Sequence, residues 1–181
     1  MSPDPSNQQR VVVLTLLLAA TFFNHVSADS VTLPRRISSV PGTTNSVPHV
    51  QIGVTADPEI ATELLRRVTA INGVEIQASA FSLPGAKGFQ IRDNVSIERQ
   101  NRIIGGREFG HMHPDGSMHL SLPSEIAIAA VQRGWATYHP WSTERPGWEG
   151  LVMIYTPQSL EELPTIITLI EASYNFMTGK R

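Results

Sequence analysis

The sequence predicts an α+β fold: a single domain in which helices pack on one face of a mainly antiparallel sheet. Apolar residues recur at helical spacing near the start of the domain and at its end. Alternating stretches typical of strands lie between them, and two pairs of these stretches are joined by short turns. Helices and strands that are segregated in this way favour an antiparallel sheet.

The first 28 residues have the pattern of a secretory signal peptide. A 13-residue apolar stretch, Val11–Phe23, follows Arg10 and precedes Val26-Ser27-Ala28. This length matches the core of a signal peptide and is short for a membrane span. We therefore expect cleavage after Ala28 and a secreted or periplasmic protein; a membrane anchor at residues 11–23 is the alternative.

The rest of the chain divides into an arm and a domain. Residues 29–48 are rich in Ser, Thr and Pro and predict an extended arm or linker, and the domain is expected over residues 49–181. The chain has no cysteine and a formal net charge of -2, which exclude disulfides, thiolate catalysis and a basic nucleic-acid surface. We expect a monomer without a stable membrane span after cleavage and with a small-molecule substrate.

A helix and a hairpin open the domain. Asp57 is a natural N-cap before Pro58, and apolar residues follow at helical spacing until Asn72-Gly73. Residues 74–81 and 87–92 alternate in polarity, so they predict two strands. The remaining predicted elements are a second hairpin at 107–122, helices at 124–133 and 159–177, and a buried strand at 150–155. Ser159 and Glu162 have the spacing of a capping box.

Three histidines, His111, His113 and His119, lie close together in the second hairpin. A two-residue Asp-Gly loop would pair His113 with Met118, whereas a three-residue Pro-Asp-Gly loop would pair it with Ser117. We favour the longer loop, because Pro suits the first turn position and Gly the left-handed one. His111 then lies opposite His119, and all three histidines share one face.

The same register divides the other residues of the hairpin. Arg107 and Phe109 are expected on the face of the histidines, and Met112, Met118 and Leu120 are expected in the core. Imidazole groups suit proton transfer near neutral pH. The alternative is a solvated hairpin face.

Three imidazoles with an open position also match metal sites. We do not favour a metal, because strand parity points Glu108 away from the histidines and Asp115 has a role in the turn. Downstream, Trp135, Tyr138 and His139 predict an aromatic pocket for a planar ligand. The alternative is a loop that is packed by Trp135.

Several motifs resemble the fungal luciferase family and its luciferase-domain relatives over about residues 105–178, and fainter similarity continues upstream through Pro48-His49. In order they are Arg107-Glu108, His111-Met112-His113, His119-Leu120, Gly134-Trp135, His139-Pro140, Tyr155-Thr156-Pro157, Glu171-Ala172-Ser173 and Met177-Thr178. The resemblance implies an oxygenase that acts on a hydroxylated pyrone of the hispidin type or a related polyphenol. Molecular oxygen would be the co-substrate, carbon dioxide would leave, and no cofactor would be needed.

The resemblance also implies site residues. His111, His113, His119 and His139 match family histidines and become the catalytic candidates. We expect Arg107, Phe109, Trp135 and Tyr138 to contact substrate and expect no bound metal. Two alternatives remain: a non-catalytic domain that binds a small ligand, and a metal-dependent enzyme that uses the three histidines.

Overall fold

A computed structural model describes residues 32–180 of the chain. The expected signal peptide at residues 1–28 lies outside this range, and the arm is described from residue 32 onward. Within 32–180, no helix has both the length and the apolar character that a bilayer crossing requires.

The described residues form one six-stranded sheet in the order β1-β2-β3-β4-β6-β5, and every neighbouring pair is antiparallel. The strands are β1 (Val74–Ala78), β2 (Lys87–Ile91), β3 (Glu108–Met112), β4 (Met118–Ser121), β5 (Ala136–Tyr138) and β6 (Leu151–Ile154). The helices are α1 (Pro58–Thr69), α2 (Ser124–Gln132), α3 (Trp141–Glu144) and α4 (Leu163–Thr178). The predicted α+β class is confirmed.

Helix α1 begins where the sequence predicts. The side chain of Asp57 accepts hydrogen bonds from the backbone N–H groups of Glu59 and Ile60 at 2.8 and 3.1 Å. This caps two N–H groups that have no partner inside the helix. The helix buries Ile60, Leu64 and Val68 toward the sheet, at the spacing of one helical face.

Helices α1, α2 and α4 pack on one face of the sheet, which we call the helix face. The side chains of Met112, Met118 and Leu120 lie there and are buried among apolar residues of α1 and α4. Their predicted core position is confirmed. The opposite face, which bears His111 and His119, is called the histidine face.

The predicted capping box at the last helix is wrong. Residues Leu160–Glu162 form a 3₁₀ turn, and Ser159 makes no capping hydrogen bond with its side chain. The Glu162 carboxylate instead accepts from the Arg36 guanidinium at 2.9 Å and from the backbone N–H of Gln158 at 2.9 Å. A long-range ion pair therefore takes the place of the local cap, and α4 begins at Leu163.

The described part of the arm is docked on the domain. Leu33 is buried, and the carbonyl of Pro34 accepts a hydrogen bond from Trp135 Nε1 at 2.6 Å. The buried Arg36 side chain pairs with Glu162 and donates to the carbonyl of Thr156 at 2.8 Å. Burial by itself would raise the pKa of Glu162, but the Arg36 hydrogen bond holds that pKa below its usual value. These contacts fix the path of the chain toward His49.

Candidate active site

The β3–β4 hairpin brings three histidines together. His111 lies directly opposite His119 in the ladder. The backbone N–H of His113 donates to the carbonyl of Ser117 at 2.8 Å, and Gly116 has a φ of 86°. This pairing confirms the predicted register and the three-residue Pro-Asp-Gly loop. The φ of Gly116 is one that glycine adopts without strain, as the turn requires. The imidazole centroids of His113 and His119 are 4.7 Å apart.

A β-bulge in β3 changes which residues face the histidines. Phe89 pairs with Gly110, whereas its neighbour Gln90 pairs with Glu108, so Phe109 is an extra residue in the ladder. The prediction that Glu108 points away from the histidines is therefore wrong. Its Oε1 lies 3.0 Å from His111 Nδ1. Strand parity predicts the wrong face here because it assumes that each residue of β3 pairs with one residue of β2, and the bulge breaks this one-to-one pairing.

The Glu108 carboxylate is held by several groups. It accepts from Ser79 Oγ at 2.7 Å and from Gln90 Nε2 at 3.2 Å. Gly88 provides the space, since a Cβ at that position would lie 2.6 Å from Glu108 Oε2. Burial by itself would raise the pKa of Glu108, but the hydrogen bonds from His111 and Ser79 lower it. Glu108 is thus an anion beside His111.

Two further histidines arrive from other parts of the chain. His139 follows β5, and its Nδ1 accepts the backbone N–H of Trp141 at 3.1 Å. His49 comes from the segment before α1 and stacks on His119 with ring centroids 5.4 Å apart. The centroids of His49 and His139 are 5.1 Å apart, and those of His119 and His139 are 4.7 Å apart.

These five residues, His49, His111, His113, His119 and His139, are called the histidine pocket. Our sequence interpretation missed His49 as a site residue. His49 precedes His111 by 62 residues, so no local spacing connects it with the hairpin. Two signals were available: the fainter family similarity reaches Pro48-His49, and His49 is one of five histidines beyond the expected cleavage site.

The histidine pocket borders a cavity of about 230 Å³. The remaining walls are mainly apolar or aromatic and come from Val47, Pro48, Phe81, Ser82, Leu83, Ile104 and Trp141. Apolar walls with a few converging polar groups are typical of small-molecule sites. The size and lining suit a small planar ligand.

Three of the four residues that we expected to contact substrate lie away from this cavity. The Arg107 guanidinium donates to the carbonyls of Ile91, Arg92 and Val95. Trp135 is buried against the arm, to which its indole is hydrogen-bonded. Tyr138 pairs with Val152, so it points to the helix face rather than to the histidines.

Phe109, the fourth of these residues, is turned into the core by the bulge. Its ring lies 6.1 Å from that of Phe89 and 5.7 Å from that of Tyr174. It borders the site only by lining a second, smaller cavity beside His111 and His119. The same bulge that turns Glu108 toward the histidines thus turns Phe109 away from them.

Burial keeps most of the histidine pocket neutral at pH 7. It lowers the pKa of His113 to about 4, with a further contribution from His111. It also lowers the pKa of His139 to about 4, with His49 as the next cause. Burial lowers the pKa of His49 and brings that of His119 well below its usual value. Neutral imidazoles can accept protons or bind metals.

Hydrogen bonds determine which ring nitrogens are free. Ser117 Oγ donates to Asp115, so it accepts from His113 Nδ1 at 3.0 Å. His111 Nε2 lies 3.2 Å from His119 Nδ1. Within residues 32–180, the buried atoms His119 Nε2 and His49 Nδ1 have no hydrogen-bond partner.

Two sets of three histidines have nitrogens close enough to share a metal. One set is His111, His113 and His119, and the other is His49, His119 and His139. In each set, one nitrogen per residue lies within 4.8 Å of the others.

Comparison with known proteins relates this arrangement to one family. The luciferase-domain family model matches residues 106–173. The luciferase of Armillaria gallica is 31% identical over 168 residues, which cover 81% of this chain and 62% of that protein. The luciferase of Neonothopanus nambi is 28% identical over 169 residues, covering 81% and 61%. The chain thus spans less than two thirds of these relatives, and no solved structure matches it.

The matched range contains the β3–β4 hairpin and its Glu108, together with His139. It therefore covers four of the five residues of the histidine pocket, while His49 lies upstream of it. The resemblance that the sequence motifs suggest is confirmed: residues 106–173 match the luciferase domain, and most of the chain is similar to fungal luciferases.

Proposed function

We propose that the chain is an oxygenase that acts on a hydroxylated pyrone or a related polyphenol, with molecular oxygen as co-substrate and without flavin or nucleotide. The main support is the histidine pocket, a group of largely neutral imidazoles along one side of an apolar cavity. The names of the relatives, which are luciferases, support this reaction class.

His49 is the proposed base. Its Nδ1 is buried and has no hydrogen-bond partner among residues 32–180, and its pKa is lowered by burial. It takes the proton of an enolic or phenolic hydroxyl group. The resulting anion is electron-rich, and it supplies the electrons for the new carbon–oxygen bond when oxygen adds. For a pyrone, both oxygen atoms bond to ring carbons, and the lactone group leaves as carbon dioxide when its C–C and C–O bonds to those same two carbons break.

His139 has the complementary role. Because its Nδ1 accepts the Trp141 N–H, the ring proton of the neutral imidazole is on Nε2. Nε2–H donates a hydrogen bond to the substrate oxygen as negative charge develops there. Trp141 and Phe81 provide aromatic walls for a planar ring.

Oxygen uptake with hydroxylated pyrones tests this proposal. We expect wild-type protein to consume oxygen and release carbon dioxide, and His139→Gln to be about 10²- to 10⁴-fold slower. Glutamine can still accept the Trp141 N–H, so the fold should persist. Gln132→Ala, on the exposed end of α2, is the control and should retain the wild-type rate.

Two results would overturn the proposal. One is the absence of uptake with every hydroxylated pyrone and polyphenol tested, although ligand binding is measurable. This result would favour a non-catalytic binding domain. The other is unchanged turnover in folded His139→Gln.

We also propose that the protein is exported and acts outside the cytoplasm. The support is the signal-peptide pattern of residues 1–28. N-terminal sequencing of the native protein should begin at or near Asp29. An intact N-terminus in a membrane fraction would contradict export and indicate an anchor at residues 11–23.

A further inference from the structure

We propose that His111, His113 and His119 bind a divalent first-row transition-metal ion on the wall of the cavity. One nitrogen from each ring lies within 4.8 Å of the others. His111 Nε2 and His119 Nδ1 are 3.2 Å apart. Two nitrogens bound to zinc at about 2.0–2.1 Å in tetrahedral geometry would be about 3.3 Å apart. Their spacing is thus already that of neighbouring ligands.

The surroundings of two of these histidines resemble the outer shell of a metal site. Histidine ligands usually donate their second N–H to a carboxylate or another acceptor, which fixes the ring and the tautomer. His111 Nδ1 lies 3.0 Å from Glu108 Oε1, and His113 Nδ1 lies 3.0 Å from Ser117 Oγ. In both rings the lone pair is therefore on Nε2, and that of His111 faces His119 Nδ1.

The bulge in β3 reverses the sequence-based argument against a metal. Parity places Glu108 on the helix face, where it would be of no use to a metal site. In the structure its carboxylate is buried on the histidine face, where Ser79 and Gln90 hold it beside His111. A buried anion at that position orients His111 and makes its Nε2 a stronger electron donor.

His119 completes the set by giving up a proton from one nitrogen. The 3.2 Å contact between His111 and His119 holds one proton between two nitrogens. A metal replaces this proton, which moves to His119 Nε2 or leaves to solvent. His119 Nε2 is buried and unpartnered among residues 32–180, so it is free to take it.

The second set of histidines is a weaker metal site. His139 Nδ1 already accepts the Trp141 N–H, which leaves a proton on Nε2. His49 Nδ1 has no hydrogen-bonding partner within residues 32–180 that could orient the ring. These two histidines thus remain free for the proton transfers that we propose, and a metal on the other three leaves coordination positions open for a substrate oxygen.

The ligands also define the kind of ion. Three imidazole nitrogens without sulfur suit zinc, cobalt, iron, nickel or copper, whereas calcium and magnesium prefer oxygen ligands. Cobalt(II) is a useful probe, because its visible absorption depends on the number and geometry of its ligands.

Titration of the chelator-treated full chain with Co²⁺ alone tests the site. We expect one ion per chain, with visible bands typical of low coordination number and nitrogen ligands. His113→Gln should weaken binding at least 100-fold, and Glu108→Gln should weaken it about 10- to 100-fold. His139→Gln is the matched control from the same cavity and should bind Co²⁺ as the wild type does. Circular dichroism verifies that each variant is folded.

Three outcomes would overturn the metal proposal: no Co²⁺ binding by the wild type, full binding by folded His113→Gln, or loss of binding in His139→Gln. The last would assign the ion to the other set. Failure of the oxygenase proposal is distinguishable, since Co²⁺ binding is measured without substrate. Tight metal binding without oxygen uptake would leave the site intact and refute the reaction.

Discussion

Both faces of the sheet are buried, but the helix face buries apolar side chains and the histidine face buries ionisable ones. On the helix face, Met118 and Leu120 are fully enclosed by apolar side chains. On the histidine face, His113 is 2% exposed and His139 is 5% exposed. Burial of apolar area stabilises the fold by about 25 cal/mol per Å². Burial of an ionisable imidazole instead opposes its protonation.

Residues of the helix face thus stabilise the fold, whereas residues of the histidine face are held in position by it. The helix face contributes stability through burial, as any core does. The histidine face lowers the pKa of several side chains, and its ordering depends on groups such as Glu108 and Ser117. Buried groups with shifted pKa values around a cavity are typical of functional sites.

The largest expected effect comes from a substitution on the helix face. Leu120→Ala should lower the free energy of unfolding by about 2–5 kcal/mol, because it leaves a cavity in a closely packed core. His119→Gln changes the adjacent residue on the other face and should have a smaller effect on stability. Chemical denaturation measures both. Equal losses would mean that the two faces do not differ as we describe.

The pH dependence of stability should come from the histidine face. In the unfolded chain a histidine takes up a proton near pH 6.5, whereas His113 and His139 do so near pH 4 in the folded protein. Between these values the unfolded chain binds more protons, so the free energy of unfolding falls as the pH is lowered. Each of the two histidines contributes up to about 1.4 kcal/mol per pH unit in this window.

Thermal unfolding of the chelator-treated protein between pH 7 and pH 5 measures this effect. This range lies above the usual pKa of carboxyl groups, so Glu108 and Glu162 contribute little to the slope. His113→Gln should have a flatter profile than the wild type. A wild-type unfolding temperature that stays constant across the range would contradict the neutral histidine pocket.

A glycine on β2 offers a more local test of the histidine face. In Gly88→Ala the new Cβ would lie 2.6 Å from Glu108 Oε2, so the carboxylate must move from its place beside His111. We expect the rate of oxygen uptake to fall about 10- to 100-fold, as for loss of other outer-shell partners. Gly42→Ala is the control, since a Cβ there meets no atom within 4 Å. Equal rates in the two variants would show that Glu108 does not act through His111.

The smallest expected effect concerns the arm. Trp135→Phe removes the hydrogen bond from Nε1 to the carbonyl of Pro34 and should lower stability by about 0.5–1.5 kcal/mol. Trp148→Phe is the matched control, because the Trp148 indole makes no such bond within the described part of the chain. Thermal unfolding compares the two variants. If they lose the same stability, the Pro34 bond does not hold the arm.

Local chemistry made much of the fold predictable from the sequence. The Asp57 cap, the Pro-Asp-Gly loop and the pairing of His111 with His119 each depend on a few neighbouring residues. These features are determined by turn and cap preferences that operate within a few residues.

The errors have a different physical origin. One extra residue in β3 exchanged the directions of Glu108 and Phe109, and no local pattern indicates a bulge there. His49 joins the site, and Arg36 replaces the expected cap of α4, through contacts between segments far apart in the chain. Such long-range contacts depend on the completed fold.

The central claim, that the histidine face is a pocket of neutral imidazoles prepared for chemistry, is tested most directly by NMR titration of the histidine ring signals. The signals of chelator-treated protein are assigned with single His→Gln variants and followed from pH 4 to pH 8. We predict that His113 and His139 titrate near pH 4 and that His119 stays neutral to well below pH 6.5. Titration of all three near pH 6.5 would contradict the account, because it would show an ordinary solvated surface.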